Sequence, residues 1–321
     1  MNTVSDGASN AEPRRIAITG AHGFVGRELC TVVRKRGCDV LTIGHHGDGD
    51  GTSLEDGQGW QRILTGAEAV IHLAARAHVL RETAARPLDE FRKVNVEGTL
   101  CVARAALAAG VRRFVFVSSI GVLGNESTAE AFCENTVPRP VEPYAVSKYE
   151  AEQRLEELAE QTGLEVVIVR PPLIYGPHVK GNFLRLLRLA AAGIPLPLGG
   201  INNRRSFIGV TNVSEVLLLC AVRPLGAQRL FVVSDGHDVS TPELLRMLAA
   251  RMRRPNRVFR FPTAPLRLLA SAVGRGAEYR RLASDLRVDS RLARSALEWQ
   301  PSKSLEDGMA EMVDWFMQSS R

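Results

Sequence analysis

Tyr144 and Lys148 lie four residues apart in PYAVSK (143–148), a spacing that sets both on one face of a helix. An ammonium beside a phenol favours the phenolate and lowers a pKa that is ordinarily about 10. A phenol tuned in this way passes a proton to or from a substrate oxygen while a nicotinamide passes hydride. Tyrosine and lysine at this spacing also decorate many helix surfaces, so the company they keep matters. They follow an apolar run ending in Ser118-Ser119, and a glycine-rich turn, GAHGFVG (20–26), precedes both. In that turn Gly20 permits a tight bend, Gly23 lets backbone approach a pyrophosphate, and Gly26 allows close packing. The phosphates would sit at the N-terminus of the helix that follows. The spacing is GxxGxxG rather than the usual GxGxxG, but the physical roles are the same.

The elements that must hold these groups are legible as alternating patterns. Buried-strand runs are expected at Ile16–Thr19, Val40–Ile43, Ala69–Leu73, Phe114–Ser118, Val166–Val169 and Leu230–Val233. Helical patterns are expected at Phe24–Arg36, Leu88–Ala109, Glu142–Gln161 and Val213–Val222. Strands alternating with helices predict an α/β fold, a Rossmann-type doubly wound parallel sheet covered on both faces. From Pro171 on, five prolines fall within 27 residues, and further helices are expected at Pro242–Arg253, Pro265–Val273 and Leu305–Met317. Thr241-Pro242-Glu243 reads as a helix start with Thr241 as its hydroxyl cap. The expected division is a disordered tail (1–13), a dinucleotide-binding domain (14–170 with about 206–235), and a smaller C-terminal substrate-binding domain (171–205 and 236–321).

Composition narrows the class. Of 321 residues, 45% are hydrophobic and 24% charged, which excludes a disordered or fibrous chain. The net charge of +6 admits nucleic acid, anionic lipid or phosphorylated small molecules as partners. The basic stretches 251–257 and 275–294 lack interleaved stacking aromatics and read as solvated helix faces, so no nucleic acid is expected. The five cysteines show no CxxC pair, which suits a cytoplasmic location. No run approaches the roughly 20 apolar residues of a membrane span, so no membrane insertion is expected. Nor is there a metal-ligand spacing such as HExxH; no metal is expected, and His22, His72, His178 and His237 read as structural or loop positions.

The second strand bears on the cofactor. An NAD site normally places an acid at its end to accept from the ribose 2′-OH. Gly44 occupies that position, so a 2′-phosphate is not repelled; NADP is expected, with NAD as the alternative if Asp48 or Asp50 reaches back. His45, His46 or Arg34 would then be neighbours of the phosphate.

With these residues in place, the chain resembles the extended short-chain dehydrogenase/reductase family, the sugar-nucleotide epimerase, dehydratase and reductase group. The resemblance spans roughly residues 15–317 and rests on GAHGFVG (20–26), HLAA (72–75), NVEGT (95–99), SSIGVLG (118–124), PYAVSK (143–148), RPPLIYGP (170–177), RSFIGV (205–210) and ALEWQPSKSLEDGM (296–309). It implies that Ser119 hydrogen-bonds the reacting sugar oxygen, that Tyr144 is the acid/base, and that Lys148 binds the nicotinamide ribose and tunes Tyr144. Asn95 would support the site. The cofactor would contact Gly20, Gly23, Phe24, Val25, Gly26, His45, Leu73, Ala74, Ala75, Tyr144, Lys148 and Pro171. Arg76, Ser119, Asn182 and Arg205 would contact substrate, with Arg205 preferred over Arg204 for the diphosphate; Arg76 and His78 could equally cap a loop. The 4,6-dehydratases carry an acidic pair where Ile120-Gly121 stands, which argues against dehydration. The implied function is reduction of a UDP-4-keto-6-deoxy-N-acetylhexosamine in surface-polysaccharide (O-antigen) biosynthesis by a homodimer. The alternatives are a UDP-hexose 4-epimerase with retained NAD and, more remotely, a non-catalytic dinucleotide sensor.

Overall fold

The computed structural model describes residues 15–43, 56–77 and 86–319. The expected tail (1–13), Gly44, His45, His46, Asp48, Asp50 and His78 lie outside the described residues. Among the described residues eight strands are formed: β1 (Arg15–Thr19), β2 (Asp39–Ile43), β3 (Ala69–His72), β4 (Arg113–Val117), β5 (Glu165–Arg170), β6 (Leu173–Tyr175), β7 (Phe207–Gly209) and β8 (Leu230–Val232). Six of them make one sheet in the order β2-β1-β3-β4-β5-β8. Every pairing in it is parallel. The expected doubly wound α/β sheet is therefore present.

The reason lies in the strands' own composition. In β1, Ile16 and Ile18 face a core shared with helices Phe24–Lys35 and Val210–Val222, through Leu29, Val33, Val213 and Leu217. Ala17, pointing the other way, joins Trp60, Val102 and Leu155 of helices Gly57–Leu64, Thr99–Ala108 and Pro143–Thr162. A strand apolar on both sides is stable only between two helical layers. A third core holds Tyr175, Phe183, Phe207, Leu248 and Met312, around the small parallel pair β6 and β7. Phe24, at the start of the first helix, packs against this third core.

Three local expectations change. The single helix expected over Leu88–Ala109 is divided into Pro87–Arg92, a wide π turn at Lys93–Gly98, and Thr99–Ala108. Helix Thr241–Arg251 is capped by Ser240 rather than Thr241: Ser240 and Glu243 form a reciprocal capping box, while the Thr241 hydroxyl donates to the Leu282 carbonyl. The helices Gly57–Leu64 and Gly181–Ala192 and the β6–β7 pair have no counterpart in the sequence reading.

Gly26 marks the tightest contact of the glycine turn: a β-carbon there would lie 2.3 Å from the Gly20 carbonyl oxygen and 2.7 Å from Ala21 Cα. Because both are backbone atoms, Gly26→Ala must push the first helix off β1. The expected loss is about 1–3 kcal/mol of stability, read as a lower urea midpoint at unchanged slope.

Candidate active site

The strand order reverses direction at β1, whose two neighbours are β2 and β3. A crevice therefore opens beyond the C-terminal ends of β1 and β3, where doubly wound sheets hold ligands. Gly20 follows β1 with φ +68°, and a β-carbon on it would meet Ala74 N at 3.0 Å. The turn after β1 and the segment after β3 are thus in contact, at Leu73 and Ala74. At Gly23 a β-carbon would meet only the Gly20 carbonyl, at 3.1 Å, so the outer side of the turn is open. Helix Phe24–Lys35 starts there with no side-chain cap and no acid in its first turn. Its first backbone N–H groups, at Phe24 and Val25, have no acceptor within the helix. An open glycine cradle, uncapped donors and the positive end of a helix dipole fit the pyrophosphate of a dinucleotide. Arg34 does not serve this site: ten residues along the helix, at about 1.5 Å each, put it near the opposite edge of the sheet.

Behind the cradle, buried polar groups fix the crevice floor. His72 bridges Thr19 Oγ1 at 2.9 Å and Thr99 Oγ1 at 3.1 Å. Burial, with a smaller contribution from Lys148, drives its pKa down to about 3, so it is a neutral strut. Asn95 sits in the π turn, wholly buried. Its Oδ1 accepts from the Arg76 N–H at 2.8 Å, and its Nδ2 donates to the Arg76 carbonyl at 3.2 Å and to Ser147 Oγ at 3.0 Å. Ser147 in turn donates to the Tyr144 carbonyl at 2.8 Å. Asn95 therefore locks the segment after β3 to the helix carrying Tyr144. The same neighbourhood is continued by rings, with the Arg76 guanidinium 5.5 Å over Phe91 and Phe91 edge-on to Tyr144 at 6.1 Å.

Ser119 caps the short turn Ile120–Val122 at the end of β4, its Oγ accepting from Gly121 N at 3.1 Å. The Pro171 carbonyl accepts from Ile120 N at 2.9 Å, so the end of β5 holds this turn in place. Lys148 is buried; Nζ donates to the Val117 carbonyl at 2.8 Å and lies 4.4 Å over the Phe116 ring. Burial lowers its pKa to about 7, opposed by the negative charge of Glu152. The lowering of Tyr144 expected from Lys148 does not arise here. The ammonium is turned to the Val117 carbonyl, and burial pushes the phenol up to about 12.

The sequence reading missed the pair that anchors this group. Glu152, one turn beyond Lys148, and Arg170, the last residue of β5, are both buried. They form two bonds, Nε–Oε1 at 3.0 Å and Nη2–Oε2 at 2.5 Å. The signal available was the four-residue spacing from Lys148 to a glutamate and the arginine opening RPPLIYGP.

Of the residues expected to contact substrate, Arg205 is half-buried and its Nη1 donates to the Arg281 and Ser284 carbonyls at 2.8 and 3.0 Å. Desolvation lowers its pKa. Arg204 is exposed, and its backbone N–H is held by Asp285. Asn182 is exposed in the first turn of helix Gly181–Ala192. Among the described residues, neither Asn182 nor Arg205 hydrogen-bonds to Ser119, Tyr144 or Lys148.

Residues 16–233 match the NAD dependent epimerase/dehydratase family. The chain is similar to a UDP-glucose 4-epimerase of Vibrio cholerae, 36% identical over 318 residues, covering 96% of this chain and 97% of that protein. A UDP-glucose 4-epimerase of Mycolicibacterium smegmatis is 28% identical over 330 residues, covering 96% and 100%. Among solved structures, the UDP-glucose 4-epimerase of Thermotoga maritima with UDP-glucose superposes with a TM-score of 0.76 at 22% identity, covering 96% and 100%.

Glu152→Gln keeps shape but leaves Arg170 buried without its counter-charge. A stability loss of about 3–5 kcal/mol is expected, measured by chemical denaturation. Removing the negative charge also removes what holds the Lys148 pKa up. Any pH–rate limb set by Lys148 near 7 should therefore move to lower pH, whereas an unmoved limb would separate Glu152 from Lys148.

Proposed function

The chain belongs to the NAD-dependent epimerase/dehydratase family, and on that premise we propose that it transfers hydride at C4 of a UDP-hexose, reducing a UDP-4-keto-6-deoxy-N-acetylhexosamine. It is an enzyme of the NAD(P)-dependent short-chain dehydrogenase/reductase kind. What supports the reading is that Ser119 and the Val117 carbonyl bound by Lys148 lie at the C-terminal end of β4, the same end of the parallel sheet as the open glycine turn, with Tyr144 one helical turn before Lys148.

In this reading the turn Gly20–Gly26, with Phe24 and Val25, holds the pyrophosphate, and Lys148 holds the nicotinamide ribose. A bound reduced nicotinamide supplies the hydride. Ser119 and Tyr144 hydrogen-bond the C4 oxygen, and the Tyr144 proton passes to that oxygen as it becomes an alkoxide. Leu73, Ala74, Ala75 and Pro171 wall the nicotinamide side, and Arg76 stands at the sugar side with Phe91. Arg205, with Nη1 already anchored, turns its remaining donors to the sugar-nucleotide diphosphate, aided by Asn182. Gly44 in place of an acid supports NADP over NAD, with His45 as a neighbour of the 2′-phosphate. Ile120 and Gly121 offer no carboxyl next to Ser119, which supports C4 reduction over 4,6-dehydration. The reading includes a cytoplasmic homodimer assembled through helices Thr99–Ala108 and Pro143–Thr162 and a product used in surface-polysaccharide assembly.

A second reading has a specific observation behind it: the two curated relatives above are both named UDP-glucose 4-epimerases. In that case C4 is oxidised and re-reduced on retained NAD. Incubation with UDP-4-keto-6-deoxy-N-acetylglucosamine and NADPH separates the two. Reduction consumes one NADPH per sugar, and Tyr144→Phe should lower kcat by about 10²–10⁴-fold. Interconversion of UDP-hexoses on co-purifying NAD, with no NADPH consumed, would establish the epimerase instead.

A further inference from the structure

The charge of this chain is concentrated in one place. Residues 251–281 hold nine arginines and one acid, Glu278, a local net of +8 against +6 for the whole chain. Two of the nine are engaged, Arg251 with Asp314 and Arg281 with Glu142. The other seven make no ion pair among the described residues. The same stretch exposes large apolar side chains. In helix Thr263–Ala272 no residue is fully buried. Leu266 and Ala270 touch the small core around Leu245 and Tyr279, while Leu268 and Leu269 are 69% and 61% exposed. Val273 just beyond is 62% exposed, and Phe259 and Phe261 just before are 45% and 39%. At about 100° per residue Leu268 projects opposite to Leu266 and Ala270, so the helix shows its apolar side to solvent.

We propose that this face docks on an anionic phospholipid bilayer, with Leu268, Leu269, Val273 and Phe261 entering the headgroup boundary and the flanking arginines on lipid phosphates. An exposed aliphatic stripe edged by arginine is the composition of an interfacial helix. A second copy is a poor occupant, because it would bring two faces of +8 together. Nucleic acid would satisfy the arginines but gains nothing from leucines directed outward. No helix among the described residues is long and apolar enough to cross a membrane, so the attachment is peripheral. It is independent of which sugar is turned over.

The test is flotation of the full chain with vesicles of phosphatidylcholine alone or with phosphatidylglycerol, at low and high salt. Binding is expected only to the phosphatidylglycerol vesicles, and it should weaken with salt. Leu268→Ser with Leu269→Ser, and separately Arg260→Glu with Arg267→Glu, should each lower the bound fraction about tenfold or more. Both variants should keep wild-type circular dichroism and turnover. Absence of flotation at low salt would overturn the proposal. So would retained binding in the leucine variant, which would mean charge alone, as for a nucleic acid. An oligomer that sediments as wild type but dissociates in the leucine variant would assign the face to a second copy instead.

Discussion

The buried Glu152–Arg170 pair is the constraint on which the site depends. Bringing two charges out of water is costly, and such a pair adds little net stability compared with an apolar replacement. What it fixes is register. Glu152 lies on the helix that carries Tyr144 and Lys148, and Arg170 ends β5, so two bonds leave that helix little freedom to slide along the sheet. The residue after Arg170 is Pro171, whose carbonyl holds Ile120 N–H beside Ser119. One ion pair therefore coordinates the hydroxyl, the phenol and the ammonium, which come from two different elements. Its charge also sets the electrostatics, since Glu152 opposes the burial that lowers Lys148.

The remaining supports work on the other side of the crevice. Asn95 reaches from the π turn to the Arg76 backbone and to Ser147, and a regular helix over 93–98 would present this side chain at a different angle. His72, kept neutral by burial, ties β1, β3 and helix Thr99–Ala108 together through two threonines. The glycine turn offers donors without any side chain: they are backbone N–H groups at an uncapped helix start, and its glycines leave the outer side open. Phe24 then joins the turn to the third core, so the glycine turn and the region around Tyr175 share a packed boundary.

Much of this was legible in the sequence because it is local. The glycine turn, the Tyr144–Lys148 spacing and the apolar strands each announce themselves within a few residues, and the parallel sheet follows from their alternation. What stayed hidden depends on distant partners. Nothing local to Glu152 names Arg170, eighteen residues away, and nothing in the apolar pattern of 88–109 announces a π turn. The Tyr144 pKa was read in the wrong direction because the sequence shows that a lysine is near but not that its ammonium is turned to the Val117 carbonyl. Arg34 is one candidate neighbour of the 2′-phosphate in the sequence, but its helix carries it ten residues, at about 1.5 Å each, away from the turn. Helix Thr263–Ala272 was expected close to its true position, whereas the exposure of its leucines emerges only from packing.

In the proposed function Ser119, Tyr144 and Lys148 serve hydride delivery to C4 of the sugar. It is tested most directly with NADPH deuterated at the transferring position of the nicotinamide and UDP-4-keto-6-deoxy-N-acetylglucosamine as acceptor. The expected product carries one deuterium, located at C4 by NMR. Product formed without label, or with label at another carbon, would contradict it.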